Sequence, residues 1–300
     1  MASGAQDIGQ LPPKKTGAAA KWAGFVDFLW NSERKEFLGR NCMSWIQISL
    51  FYLVYYTLLA GFFGACLAIF FTTIDMNRPK YIGKDNILRD LPGMGYRPMP
   101  DFETTLIRFE QGKPSSYKLY TDHIQAFLDQ YENERQVGEN YVDCSNSERT
   151  DPEKVCRFEV RDLGAECTWQ KDFGYDEGKP CVLLKLNKIY DWVPEALSNP
   201  NITGDPGRYR EKDIMITCQG ENPADDENIG PVKFWPASGM PFQFFPYRNQ
   251  LGYRAPLVMA QFENPANGVV IQVRCMAWAN NIYHHRNDKM GSVHFELLVD

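Results

Sequence analysis

The sequence predicts a single-span membrane protein: one transmembrane helix followed by an antiparallel β-sandwich. Three observations carry this. The chain has 300 residues and a mean hydropathy of −0.42, typical of a water-soluble protein, so its 44% hydrophobic content must be concentrated locally. From Asn41 to Ile74, between Arg40 and Asp75, runs a stretch without Asp, Glu, Lys or Arg. A spanning helix needs roughly 20 such residues. Beyond this stretch, short apolar runs alternate with clusters of Gly, Pro and Asn, the pattern of strands and turns.

The apolar stretch begins some forty residues in, is too long for a signal-peptide core, and lacks a small-x-small cleavage site followed by polar sequence, so it reads as an uncleaved signal-anchor. Flanking charge does not orient it. Lys21, Arg34, Lys35 and Arg40 precede it, and Arg78, Lys80, Lys84 and Arg89 follow. Cysteines do. Cys42 and Cys66 lie in or beside the span, whereas Cys144, Cys156, Cys167, Cys181, Cys218 and Cys275 all lie C-terminal to it. An even set of six on one side marks an oxidising compartment. The sequon Asn201-Ile202-Thr203 is on that side too. The expected arrangement is type II, with a cytoplasmic N-terminus.

Four segments are expected in order. Residues 1–44 form the cytoplasmic tail, of which 1–20 (MASGAQDIGQLPPKKTGAAA) read as disordered. Within the tail, Trp22, Phe25, Val26, Leu29 and Trp30 recur on one helical face, suited to a membrane interface or a cytoplasmic partner. Asn31 or Ser32 is a candidate cap for a helix running through GluArgLysGluPheLeu into the span. Residues 45–74 form the transmembrane helix. Residues 75–113 form the stalk and first strand, with Arg78 to Pro100, rich in Pro and Gly, reading as an extended stalk over the membrane surface. Residues 114–300 form the sandwich. It opens with a helix after Pro114, striped by Tyr117, Tyr120, Ile124, Phe127, Leu128 and Tyr131. Strands are then expected at VCRFEVRDL, CVLLKLNKIY, DIMITCQG, PLVMAQFEN, VVIQVRCMAWA and SVHFELLV. Cys156, Cys218 and Cys275 are in phase with the apolar positions of their runs, so a bridge between two of them can lie inside the sandwich. Six cysteines allow fifteen pairings.

Chemistry is hard to find. There is no HExxH, no Gly-rich phosphate loop and no Cys-x-x-Cys. Of four histidines, His284 and His285 are adjacent and would point apart in a strand, His123 sits on the helix and His294 on the last strand. Asp225-Asp226-Glu227 reads as a solvated loop rather than a metal site. Basic residues do not cluster with aromatics as a nucleic-acid surface would require. No catalytic residue, metal or cofactor is expected; a lumenal transferase is the weakest reading.

The span itself is unusual. Trp45 suits the membrane interface, but Tyr52 lies about 10 Å deeper and Tyr56 about 16 Å deeper. A lone hydroxyl in hydrocarbon is costly, so Tyr56 calls for a protein partner. Tyr52, Tyr56, Ala60, Gly64 and Ala68 form a strip that winds about 40° per step, and its small residues let another helix approach closely. Gly61 and Ala65 widen it.

At this point the residues resemble a known family. FLGRNCMSWIQISLFYLVYYTLLAGFF, preceded by WNSERKEF, is similar to the membrane entry of beta subunits of the Na,K-/H,K-ATPase family. So are PSSYKLYTDHIQAFLDQY, KVCRF, FGYDEGKPCVLLKLNKIY, PFQFFPYRN and APLVMAQFEN, over residues 22–300 in all. The resemblance implies a non-catalytic subunit that binds the ion-pumping alpha subunit, aids its folding and delivery to the plasma membrane, and modulates potassium occlusion. It implies an immunoglobulin-like sandwich with one crossing helix, and consecutive disulfides Cys144–Cys156, Cys167–Cys181 and Cys218–Cys275. Tyr52 and Tyr56 would face the seventh transmembrane helix of the alpha subunit, and the extracellular domain would cover the loop that follows it. A small single-span FXYD-type regulator is a further implied partner. A single sequon, where vertebrate members usually carry several, argues against the gastric proton-pump type and favours a Na,K-pump. Asp288-Lys289-Met290-Gly291 comes within one residue of the pump's own DKTG loop but lacks its Thr, and reads as coincidence. The alternative from another class is a type II adhesion or receptor glycoprotein.

Overall fold

One 31-residue helix and two four-stranded sheets make up most of the regular structure. The computed structural model describes residues 17–83, 90–144, 151–285 and 290–300. The first sixteen residues, part of the stalk and the Asp288-Lys289 pair lie outside them. The chain divides into two units, Met1–Asp75 and Met76–Asp300.

The first unit holds helix α1 (Ala18–Leu29), the two-residue strands β1 (Trp30–Asn31), β2 (Glu36–Phe37) and β3 (Arg40–Asn41), and helix α2 (Cys42–Thr72). The helix expected to lead from Asn31 into the span does not form. The Asn31 side chain accepts from the backbone N–H groups of Glu33 and Arg34, at 3.1 and 3.0 Å, and so caps a turn. Lys35, Leu38 and Gly39 then take positive φ, reversing the chain into an antiparallel ladder. Asn41 is the actual helix cap, its Oδ1 accepting from Ser44 N–H at 2.9 Å. The Trp45 indole donates to the Phe37 carbonyl at 2.8 Å and ties α2 to the ladder. At 1.5 Å per residue α2 is about 46 Å long, ample for a bilayer core of roughly 30 Å. Its last turn is closed by the Thr72 and Thr73 hydroxyls, which donate to the Ile69 and Phe70 carbonyls.

The second unit contains strands β4 (Met94–Arg97) and β5 (Leu106–Phe109), helix α3 (Pro114–Leu128), strands β6 (Tyr141–Val142), β7 (Val155–Cys156), β8 (Cys181–Leu186) and β9 (Met215–Gly220), helix α4 (Pro223–Ile229), and strands β10 (Val232–Trp235), β11 (Leu257–Phe262), β12 (Ile271–Trp278) and β13 (Ser292–Val299). One sheet runs β10-β11-β8-β4, all antiparallel. The other runs β5-β13-β12-β9, with β5 and β13 parallel. Their facing sides form one core. The Phe295 ring of β13 stacks on Tyr96 of β4 at 4.9 Å and meets Phe262 of β11 edge-on at 6.1 Å.

Two segments depart from the expected pattern. Met94–Arg97, assigned to an extended stalk, is the edge strand of the first sheet, paired with Arg97↔Leu183 through Met94↔Leu186. VCRFEVRDL is a strand only at Val155–Cys156, paired in parallel with β6, and Val160–Leu163 forms a 3-10 turn. Its alternation holds only in part: Cys156 and Phe158 are buried and Arg161 exposed, but Val155 is buried too and Val160 only half-buried. Those apolar residues serve a covering layer: the turn packs on β11, whose six residues are all buried, and Leu163 is buried there too. Helix α3 starts with Pro114 at its first turn and buries Tyr117, Thr121, Ile124 and Leu128 along one face. It touches β4 and β5, the edge strands of the two sheets, and so closes that side of the sandwich.

Candidate functional site

The strip on α2 is built entirely from the helix's own spacing. Tyr52 and Tyr56 stack with ring centroids 5.9 Å apart and planes 22° apart. Phe51 and Tyr55, at the same spacing one residue back, stack at 6.2 Å, and the two stacks meet where Tyr55 touches Tyr56 edge-on at 5.3 Å. The second stack was not singled out from the sequence, although its i, i+4 spacing repeats that of the first. Thr57 turns its hydroxyl onto the Leu53 carbonyl at 2.7 Å, the usual solution for a hydroxyl in a membrane helix. A tyrosine hydroxyl is too far from its own backbone for this. Among the described residues neither the Tyr52 nor the Tyr56 hydroxyl has a hydrogen-bond partner.

Below the rings, the small residues serve no internal purpose. A Cβ added at Gly61 or Gly64 would meet nothing within 4 Å. No residue of α2 is buried within the chain; Tyr52 and Tyr56 are 49% and 59% exposed. The helix therefore has a groove lined by Ala60, Gly64 and Ala68 next to an aromatic ridge, both open to whatever lies beside it in the membrane.

In the second unit the six cysteines form three disulfides: Cys144–Cys156, Cys167–Cys181 and Cys218–Cys275. Cys218 and Cys275 face each other across β9 and β12, so that bridge lies within one sheet rather than between the two. Cys167–Cys181 ties the covering layer to the start of β8. Cys42 and Cys66 are free. Asn201 is exposed on a 3-10 turn, Pro200–Thr203, where the Thr203 hydroxyl donates to the Pro200 carbonyl at 2.8 Å.

The remaining candidate groups have structural roles. Asp225-Asp226-Glu227 is not a loop but lies in α4. Asn222 caps that helix through Asp225 N–H at 3.0 Å, and Asp226 accepts from Gly220 N–H at 2.7 Å. His123 Nδ1 accepts from Met99 N–H at 3.1 Å, and burial, then the Arg97 charge, hold the ring below the ordinary histidine value. His284 donates from Nε2 to the Ala277 carbonyl at 2.9 Å and is likewise lowered, chiefly by burial. His294 lies between Glu221 and Glu296, 3.0 and 2.8 Å away. Burial alone would raise the Glu296 carboxyl, but the Thr105 hydroxyl and His294 outweigh it and leave it below the usual carboxylate range. Among the described residues no group of three or more His, Cys, Asp or Glu is placed to hold a metal ion.

Span, strip and disulfide-bonded sandwich together define a single-span membrane protein whose membrane helix offers an open lateral face. The family follows from the whole sequence. The chain belongs to the sodium/potassium ATPase beta chain family, which it matches over residues 15–295. It is 35% identical to the sodium/potassium-transporting ATPase subunit beta-2 of Drosophila melanogaster, over 99% of this chain and 97% of that one. It is 36% identical to the probable sodium/potassium-transporting ATPase subunit beta-3 of Caenorhabditis briggsae, over 94% and 89%. The subunit beta-1 of Tetronarce californica is 31% identical, over 92% and 95%.

Proposed function

We propose that the chain is the non-catalytic beta subunit of a Na+/K+-transporting P-type ATPase. It would assemble with the catalytic alpha subunit, assist its folding and delivery to the plasma membrane, and modulate potassium affinity and occlusion. The family match over residues 15–295 carries this reading, because it spans both the membrane helix and the sandwich. The open strip on α2 supports it, since among the described residues two tyrosine hydroxyls find no partner and a small-residue groove nothing that fills it.

In this reading Tyr52, Tyr56, Ala60, Gly64 and Ala68 meet the seventh transmembrane helix of the alpha subunit. The N-terminus is cytoplasmic, and the disulfide-bonded domain is extracellular over the loop that follows that helix. Asn201, exposed on its turn, carries the glycan. A small FXYD-type regulator is a further partner of the assembled pump. The family match does not favour the adhesion or receptor alternative, which rests on the sandwich alone.

The test is co-purification. Tagged full-length chain, extracted in mild detergent, is expected to bring down a much larger catalytic chain with potassium-stimulated ATP hydrolysis in the same fraction. A chain that runs alone, with no such activity beside it, would overturn the reading.

A further inference from the structure

Helix α1 meets the ladder of its own unit only through its C-terminal end. At about 100° per residue, Trp22, Phe25, Val26 and Leu29 share one face, with Asp27 and Gly24 opposite. The ladder comes nearest at Phe28, which is itself 53% exposed. Gly39, at φ +72°, passes so close to the Phe28 ring that an added Cβ would lie 3.3 Å from it. One backbone bond, from Leu38 N–H to the Leu29 carbonyl at 3.2 Å, completes the attachment. The stripe is left over, with Trp22 68%, Phe25 50% and Val26 48% exposed. A 12-residue helix is marginal in water without a surface to cover its apolar side.

The same unit indicates what that surface is. An aromatic row leads from the end of α1 to the membrane helix: Trp30 lies 6.4 Å from Phe37, and Phe37 6.0 Å from Trp45, between ring centroids. Trp45 stands in the first turn of α2, where an indole belongs at headgroup level, and its bond to the Phe37 carbonyl fixes the ladder to that turn. The row thus joins the C-terminal end of α1 to the first turn of the span. Charge does not compete with this arrangement. Lys21, Arg34, Lys35 and Arg40 nearly balance Asp27, Glu33 and Glu36 from residue 17 to 41, so apolar burial, not attraction to anionic lipid, would drive the contact.

We propose that α1 lies in the plane of the membrane at the N-terminal end of the span, with Trp22, Phe25, Val26 and Leu29 buried at the boundary between lipid headgroups and acyl chains. The occupant of the stripe is the bilayer, not a protein.

The test uses the full chain, with whatever subunit co-purifies, reconstituted in phosphatidylcholine vesicles. Cys42→Ser and Cys66→Ser remove the free thiols, and a spin label is placed singly through Phe25→Cys, Val26→Cys or Asp27→Cys. Labels at 25 and 26 are expected to be several-fold more accessible to lipid-soluble oxygen than to a water-soluble nickel complex, and the label at 27 the reverse. Labels at 25 and 26 as open to the nickel complex as that at 27 would overturn the proposal. So would labels shielded from both reagents, which would mean that a protein covers the stripe. Positions 25 and 26 report independently, so a folding failure in one variant leaves the other decisive.

Discussion

Gly239 and Gly112 both take positive φ, +99° and +72°, but for different reasons. At Gly239 an added Cβ would lie 2.1 Å from the Ile214 carbonyl oxygen, a backbone atom that cannot move aside; at Gly112 it would meet nothing. Gly112→Ala should therefore cost only the conformational penalty of about 1–2 kcal/mol. Gly239→Ala should exceed it and lower thermal stability severely, as thermal unfolding of the two variants would record. A second residue sets acid sensitivity. Folded His123 stays neutral below its ordinary pKa, held there by burial and then by Arg97, and its Nδ1 must be unprotonated to accept from Met99. In the unfolded chain it protonates near pH 6.5, so just below that value the unfolded state binds more protons. Stability is thus full above about pH 6.5 and falls as pH drops through the window down to the lowered folded value. His123→Gln should flatten the acid-side slope of the unfolding midpoint, whatever its effect at neutral pH; an unchanged slope would refute the assignment. Asn31 and Asn41 show how far residue type can be read. Both carry the capping chemistry and both use it, but only the reversal at Leu38 and Gly39 decides that one starts a helix and the other a turn.

Element by element, the longest periodicities were the most legible. The uncharged stretch became α2, and the stripe after Pro114 became α3, because each pattern is repeated over several turns. VCRFEVRDL was misread since alternation reports one buried side and one exposed side, and a covering segment against a sheet has both without forming a ladder. The short β4 and β10 runs offer few residues for any period to show. On α2, the proposed docking face is expected to depend on shape as well as on the hydroxyls. Tyr56→Ala with Gly64→Leu should remove part of the ridge and fill the groove, so a pull-down of the alpha subunit should weaken markedly while the three disulfides still form. Wild-type recovery would count against the strip as the interface.

For the whole molecule, long-range pairing closes one edge of the sandwich. Its early strand β5 and its last strand β13 pair in parallel, tied by the Thr105 hydroxyl to Glu296 at 2.6 Å and by Arg108 to Asp300 at 2.9 Å. The disulfides close loops of very different size, their partners standing 12, 14 and 57 positions apart in the sequence. By loop entropy the Cys218–Cys275 bridge should contribute about 4 kcal/mol and the Cys144–Cys156 bridge about 3 kcal/mol. Paired Cys218→Ser and Cys275→Ser substitutions are therefore expected to impair folding and pump assembly more than Cys144→Ser with Cys156→Ser. Denaturant titration of the two double variants, with recovery of the alpha subunit, would test this; equal losses would refute the ranking.

What the sequence determined by itself was whatever depends on local composition and short period: the span, the gathering of six cysteines on one side of it, the helix over the sandwich and the central strands. The tyrosine and small-residue strip belongs here too, because a helix places residues four apart on one winding line whatever surrounds it. Only the tertiary structure decided the partition of strands between two sheets, the parallel closure of β5 on β13, and the intrasheet position of Cys218–Cys275. It also showed that Gly61 and Gly64 are open and that Trp22, Phe25 and Val26 of α1 are exposed. These depend on which distant residues come together and which atoms are left without a neighbour. Pairings and vacancies of that kind are set by packing across the chain, and no local pattern encodes them.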